Sequence, residues 1–79
     1  MERSRILAIM QQVLAKQGNP ASLNEALDLQ EVRFRSLDFS EVALRIEQEI
    51  GRELNFEVSN LRHIRSVGDA LDFFEIAAK

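Results

Sequence analysis

Apolar residues recur at helical spacing in two stretches of the N-terminal part of the chain. The first stretch predicts an amphipathic helix over residues 3 to 17, ended by Gly18-Asn19-Pro20, and its stripe consists of Ile6, Ile9, Met10, Val13 and Leu14. The second predicts a helix closing at Gly51, with a stripe of Phe39, Val42, Ala43, Ile46 and Ile50. Leu37 and Leu44 lie off the second stripe, so we expect both to be exposed.

The rest of the chain predicts a long loop, a short helix and a last long helix. Residues 21 to 35 carry scattered apolar side chains without periodicity, which indicates an ordered loop pinned to the core. A connector and a short third helix are predicted over residues 54 to 64, and Ser66 with Asp69 resembles a capping box for the final helix. These elements predict one all-α domain over residues 1–79, a four-helix bundle with three longer helices and one short one.

Composition narrows the class of protein. The chain has 79 residues, 46% hydrophobic and 29% charged, which is globular and near the lower size limit for an unstapled core. It has no apolar run of membrane-spanning length and no signal-peptide pattern, so we expect a cytoplasmic, monomeric protein with no membrane partner. The net charge of −3 disfavours nucleic acid and favours basic protein partners, although Arg33 and Arg35 form a small basic spot.

Few residues are available for catalytic chemistry. The absence of cysteine excludes disulfides, thiolate metal sites and a thiol nucleophile. His63 is the single histidine, and no GxSxG, HExxH, glycine-rich phosphate loop or EF-hand pattern occurs. We therefore expect neither an enzyme nor a metal site, and any chemistry to be imported on a prosthetic group.

One serine, Ser36, stands where the predicted loop becomes the acidic second helix. Its surroundings resemble the acyl carrier protein family, whose Asp-Ser-Leu-Asp signature and Glu-rich helix are matched in spacing by Ser36, Leu37, Asp38, Glu41, Glu47, Glu49 and Leu54. The segment from Ile64 to Phe74 is similar to the family's last-helix pattern. Two positions depart from the family: Arg35 replaces the usual Asp before the serine, and Arg33 replaces a frequent Gly.

The resemblance implies a covalent cofactor on Ser36. A phosphopantetheinyl transferase would move 4′-phosphopantetheine from coenzyme A to this serine, and the new thiol would carry an acyl or aminoacyl thioester between loading and processing enzymes. A helix start suits such a group, since its free N–H groups and positive dipole end favour a phosphodiester. The exposed leucines and their charged neighbours predict a docking surface made of Arg35, Leu37, Asp38, Glu41, Leu44 and Glu47.

Three other interpretations of Ser36 stay open. In the first interpretation, Ser36 is only the N-cap of the helix, since serine is a leading capping residue. In the second, the chain is a carrier-like helical adaptor that is never modified and acts only by protein–protein interaction, with Arg35 marking lost transferase recognition. In the third, Ser36 and His63 form a small hydrolase, for which no orienting third group is identifiable. The sequence does not distinguish fatty acyl, polyketide and peptide cargo.

Overall fold

The computed structural model describes residues 1–18, 23–54 and 62–78. Within these ranges the chain forms three helices and no strand, and we number the helices α1 (Arg3–Lys16), α2 (Ser36–Ile50) and α3 (Val67–Ala77). Asp28 and Ser66 form an isolated antiparallel bridge. The predicted all-α class is confirmed for this part of the chain.

The predicted four-helix bundle is not confirmed in the described residues. The short third helix is expected within residues 54 to 64, of which 55–61 lie outside the described ranges. Arg62 and His63, which are described, form a 3-10 turn. Turns of this kind commonly serve as short connectors, and this one leads into α3 through Ile64 and Arg65.

Helix α1 packs against both other helices and supplies the centre of the core. Its buried side chains are those of the predicted stripe, Ile6, Ile9, Met10, Val13 and Leu14. On α2 the predicted stripe is buried at Phe39, Val42, Ala43 and Ile46, whereas its last residue, Ile50, is half-buried. Helix α3 buries Val67, Ala70, Leu71 and Phe74. Because removing apolar surface from water is the main favourable term in folding, these stripes determine which helix faces stay outside.

The loop before α2 is tied to the start of α3 by backbone hydrogen bonds. The N–H of Leu29 donates to the carbonyl of Arg65 at 2.8 Å, and the N–H of Val67 donates to the carbonyl of Leu27 at 2.8 Å. The loop also buries apolar side chains, namely Leu23, Leu29, Val32 and Phe34. This agrees with the predicted ordered loop, and it brings residues 62–66 close to the start of α2.

Phe39 anchors the first turn of α2 among other aromatic rings. Its ring centroid lies 4.8 Å from that of Phe34, 5.6 Å from that of Phe74 and 6.4 Å from that of Phe73. The contacts with Phe34 and Phe73 are edge-to-face, a favoured arrangement of aromatic rings. The loop, α2 and α3 therefore meet at one aromatic cluster beneath the residues that begin α2.

An ion network joins the start of α1 to the loop and α3. The guanidinium of Arg3 donates to the carboxylates of Glu25, Asp72 and Glu75. The hydrogen bonds to these three acids raise the pKa of Arg3, and the bond from Arg3 lowers the pKa of Glu25. The network lies at the surface, where each ion pair contributes little to stability, and it connects α1 to the loop and to α3.

We expect Val42→Asp to unfold the protein, because Val42 is fully buried on α2. An unpaired carboxylate buried there costs several kcal/mol, comparable with the whole stability of a small domain. Circular dichroism during thermal unfolding measures the effect. The control is Gln48→Asp on the exposed face of the same helix, which should keep a native melting curve, and native melting of Val42→Asp would contradict the packing of α2.

Candidate functional site

Helix α2 begins with Ser36 as its first helical residue, preceded by Arg35 as the N-cap. Arg35 has the extended backbone of a capping residue, with φ −109° and ψ 177°. Its side chain has no acceptor and does not cap the helix. Capping is supplied instead by Asp38, whose Oδ2 accepts from the N–H of Arg35 at 2.7 Å. The interpretation of Ser36 as a plain N-cap is therefore wrong.

Ser36 has an exposed side chain, and its hydroxyl makes no hydrogen bond within the described ranges. Ser66, at the start of α3, shows the contrast. Its hydroxyl accepts from the N–H of Asp69 at 3.1 Å, and its own N–H donates to the Asp69 carboxylate at 3.2 Å, which completes the predicted capping box. Backbone donation from Arg65 and Ser66 holds the pKa of Asp69 below its ordinary value. Of these two serines at helix starts, only Ser36 leaves its hydroxyl free for other chemistry.

Asp38 does not belong to the exposed docking surface, which corrects the expectation from the sequence. The residue is 1% exposed, and its carboxylate accepts from Gln17 as well as from the backbone of Arg35. Gln17 follows the end of α1, so this carboxylate links α1 to the start of α2. A buried carboxylate occupied in this way stabilises the helix start and is not accessible to a partner.

The other predicted docking residues of α2 are more accessible. Leu37 is 82% exposed and Leu44 is 54% exposed, seven residues apart and so on the same side of the helix. Glu41 forms a salt bridge with Lys16 at 3.1 Å, and Arg45 lies 4.0 Å from the same carboxylate. Glu47 accepts from the N–H of Leu54 at 2.9 Å. Both glutamates are thus occupied by groups of the protein itself.

A groove of about 650 Å³ opens beside Ser36. Three arginines line it, Arg35 before the serine and Arg62 and Arg65 before α3, and Phe34 and Phe39 contribute apolar wall. Asp28 also lines the groove, and its carboxylate accepts from the N–H of Gln30 at 2.7 Å. The groove therefore places positive charge and an apolar wall next to an exposed hydroxyl.

A second groove of about 380 Å³ lies on the other side of Arg35. Arg33, Arg35 and Leu37 line it together with Gln17, Gly18 and Asp38. Arg35 borders both grooves and so connects Arg33 in the second groove with Arg62 and Arg65 in the first. We call Arg33, Arg35, Arg62 and Arg65 the arginine rim.

Arg33 occupies a backbone conformation that favours glycine. Its φ is +59°, and it is the single residue other than glycine with positive φ among those described. This left-handed conformation is costly for residues with a Cβ. Arg33 is also the position where the carrier family frequently has Gly, so the departure noted in the sequence falls on a strained residue.

The sequence alone missed Arg62 and Arg65 as site residues. They lie far from Ser36 in the chain, and the loop contacts with Arg65 and Val67 bring them to it. The sequence shows that these arginines are present, but it does not show that they line the same groove as Ser36. His63 is exposed and does not line either groove, and no hydrogen bond joins it to Ser36 within the described residues.

Comparison with protein-family models, with curated proteins and with solved structures gives no match. In the described ranges, no group of His, Cys, Asp and Glu side chains is arranged to hold a metal ion. None of the described helices combines the length and apolarity needed to cross a membrane.

We expect Ser36→Ala and Ser66→Ala to differ in stability because only Ser66 caps its helix. Ser66→Ala should lower the free energy of unfolding by about 1 kcal/mol. Ser36→Ala should change it by less than about 0.5 kcal/mol, since alanine is favourable inside a helix and no hydrogen bond is lost. Urea unfolding of both variants measures the difference, and equal losses would show that Ser36 also acts as a cap.

We also expect Arg33→Gly to stabilise the protein. Relief of a left-handed penalty of about 1–2 kcal/mol exceeds glycine's backbone-entropy cost of about 0.5–1 kcal/mol, so the free energy of unfolding should rise by about 0.5–1 kcal/mol. Arg33→Ala is the matched control, because it removes the same side chain but keeps the Cβ. Equal unfolding midpoints for the two variants would show that the backbone at residue 33 is not strained.

Proposed function

We propose that this chain is an acyl or peptidyl carrier protein that holds a thioester-bound intermediate on a 4′-phosphopantetheine arm attached to Ser36. The observation that supports this most is the free, exposed hydroxyl of Ser36 at the first residue of α2. Its spacing to Leu37, Asp38 and Glu41 adds the resemblance to carrier proteins. The chain would act as a shuttle for separate enzymes and catalyse no step itself.

The residues around Ser36 fit a phosphodiester. The free N–H groups at the start of α2 favour a negative group at its first residue, and Arg35, Arg62 and Arg65 line the adjacent groove. Arginine binds phosphate oxygens well, because its planar guanidinium presents several donors. The Phe34 and Phe39 side chains on the same wall suit the less polar part of a pantetheine chain.

The attached arm would supply the thiol that the cysteine-free chain lacks, to carry the cargo as a thioester. The protein's own contribution is to fix the attachment point and present it. Asp38 and the Phe39 ring contacts hold the first turn of α2, so Ser36 projects from a rigid element. A tethered cargo reaches a docked active site at high effective concentration, which is the benefit of such a carrier.

The partners of this function are a phosphopantetheinyl transferase and the enzymes that load and process the cargo. They would recognise the carrier from the exposed Arg35, Leu37 and Leu44 and from the half-buried Glu41 and Glu47. We propose a cytoplasmic monomer in which neither nucleic acid nor membrane takes part. Fatty acid, polyketide and nonribosomal peptide synthesis all use carriers of this type.

The second candidate is an unmodified helical adaptor. Arg35 favours it, since this residue replaces the Asp that the carrier family usually has before the serine. In that case Ser36 stays unmodified and the exposed Leu37 and Leu44 bind partner proteins directly. A hydrolase built on Ser36 and His63 gains no support, because neither groove includes His63.

Incubation with coenzyme A and a promiscuous phosphopantetheinyl transferase should raise the intact mass by one phosphopantetheinyl group. Ser36→Ala should abolish the increase, because the acceptor hydroxyl is removed, while the control Ser40→Ala, one turn later on the exposed side of α2, should keep it. A full increase in Ser36→Ala would assign the arm to another residue. No increase in the unchanged protein, also after isolation from its native host, would favour the adaptor.

A further inference from the structure

The cationic side chains in the described ranges divide into two groups, those with a partner in the protein and those of the arginine rim. Outside the arginine rim, every cationic side chain in the described ranges has a polar partner within the protein. Arg3 and Arg5 bind glutamates, Lys16 binds Glu41, Arg45 lies near Gln12 and Glu41, and Arg52 donates to the carbonyl of Ala78. These cations are already satisfied by the fold.

The arginine rim differs from these residues. Arg33, Arg35, Arg62 and Arg65 are all exposed, and none of their guanidinium groups makes a salt bridge or hydrogen bond within the described part of the chain. Arg35, Arg62 and Arg65 line the groove that Ser36 also lines, and Arg33 lines the second groove together with Arg35. Among the described residues, these four positive charges outnumber the single carboxylate that lines the first groove, that of Asp28, although the whole chain has a net charge of −3.

The acidic residues of α2 show the opposite behaviour. Asp38 is buried, Glu41 is paired with Lys16, Glu47 accepts from Leu54, and Glu49 is paired with Arg5. Hydrogen bonding to Arg5 also lowers the pKa of Glu49. The α2 carboxylates are thus occupied within the molecule, so they offer less to a basic partner than the sequence suggests.

Strain at Arg33 adds an independent observation. A glycine would adopt its φ of +59° without penalty, yet an arginine stands there at a cost in stability. A strained residue persists where the surrounding structure enforces it, and such residues cluster at functional sites. The charge of Arg33 lies on the same groove as Arg35 and Leu37.

We propose that the arginine rim together with Leu37 docks a protein partner through a carboxylate-rich surface that also makes an apolar contact. This rests on the proposed function insofar as the partner must reach Ser36, and it reverses the basic partner expected from net charge. Leu37, 82% exposed beside Arg35, favours a protein over nucleic acid, since a leucine gains nothing from a phosphate backbone. Complementary charge would speed association and exclude basic partners.

The test uses the 79-residue chain with the substitution Ser36→Ala, so that no group can be attached at this position. Two synthetic amphipathic helical peptides share a leucine face, and their other positions are glutamate in one and lysine in the other. At low salt, the glutamate peptide should shift the NMR amide signals of residues 33–37 and 62–65. The lysine peptide should leave these signals unchanged, and added salt should weaken the binding of the glutamate peptide.

Charge removal identifies the residues responsible. The double variant Arg35→Gln/Arg65→Gln should weaken binding of the glutamate peptide about three- to tenfold, as expected for loss of two exposed ion pairs. Arg45→Gln, which removes one positive charge farther along α2, should leave affinity unchanged. Arg33→Gly should weaken binding even though it stabilises the fold.

Three results would overturn the proposal. One is equal or tighter binding of the lysine peptide at these amides, and another is the absence of shifts at residues 33–37 and 62–65 with the glutamate peptide. The third is tighter binding of a single-stranded oligonucleotide to the same amides, which would make the surface a nucleic-acid site. None of these depends on whether wild-type protein gains mass with coenzyme A, so failure of the carrier assignment is seen separately.

Discussion

The buried carboxylate of Asp38 organises the start of α2 and, through it, the candidate site. It accepts from the backbone N–H of Arg35 and from the side chain of Gln17, so it caps α2 and joins it to the end of α1. Because this acid supplies the cap, Ser36 falls at the first helical position with its hydroxyl free. The Arg35 side chain is exposed for the same reason, since the helix uses only its backbone.

The loop before α2 then decides what lies around that hydroxyl. Its backbone bonds to Arg65 and Val67 hold the start of α3 against the start of α2, and its buried apolar side chains keep it there. Two arginines distant in the chain thereby share a groove with Ser36. The loop contacts that stabilise the small core therefore also bring the positive charges of Arg62 and Arg65 to the site.

Salt bridges within the protein make its net charge a poor description of the charges on its surface. A net charge of −3 and a glutamate-rich second helix suggest an acidic surface. The structure uses those acids to bind Lys16, Arg5 and the backbone of Leu54, whereas the arginine rim stays without salt bridges in the described residues. A docking partner interacts with charged side chains that have no partner within the protein. These side chains are therefore a better guide to docking than the net charge of the chain.

The sequence by itself determined the three described helices and their buried stripes, because helical periodicity of apolar residues depends on local spacing and on burial alone. It also identified Ser36, the exposure of Leu37 and Leu44, and the capping box of Ser66 and Asp69, all local features. Only the tertiary structure decided that Asp38 is buried and that Arg62 and Arg65 lie beside Ser36. These facts depend on contacts between residues distant in the chain, where no local pattern records which polar groups will meet.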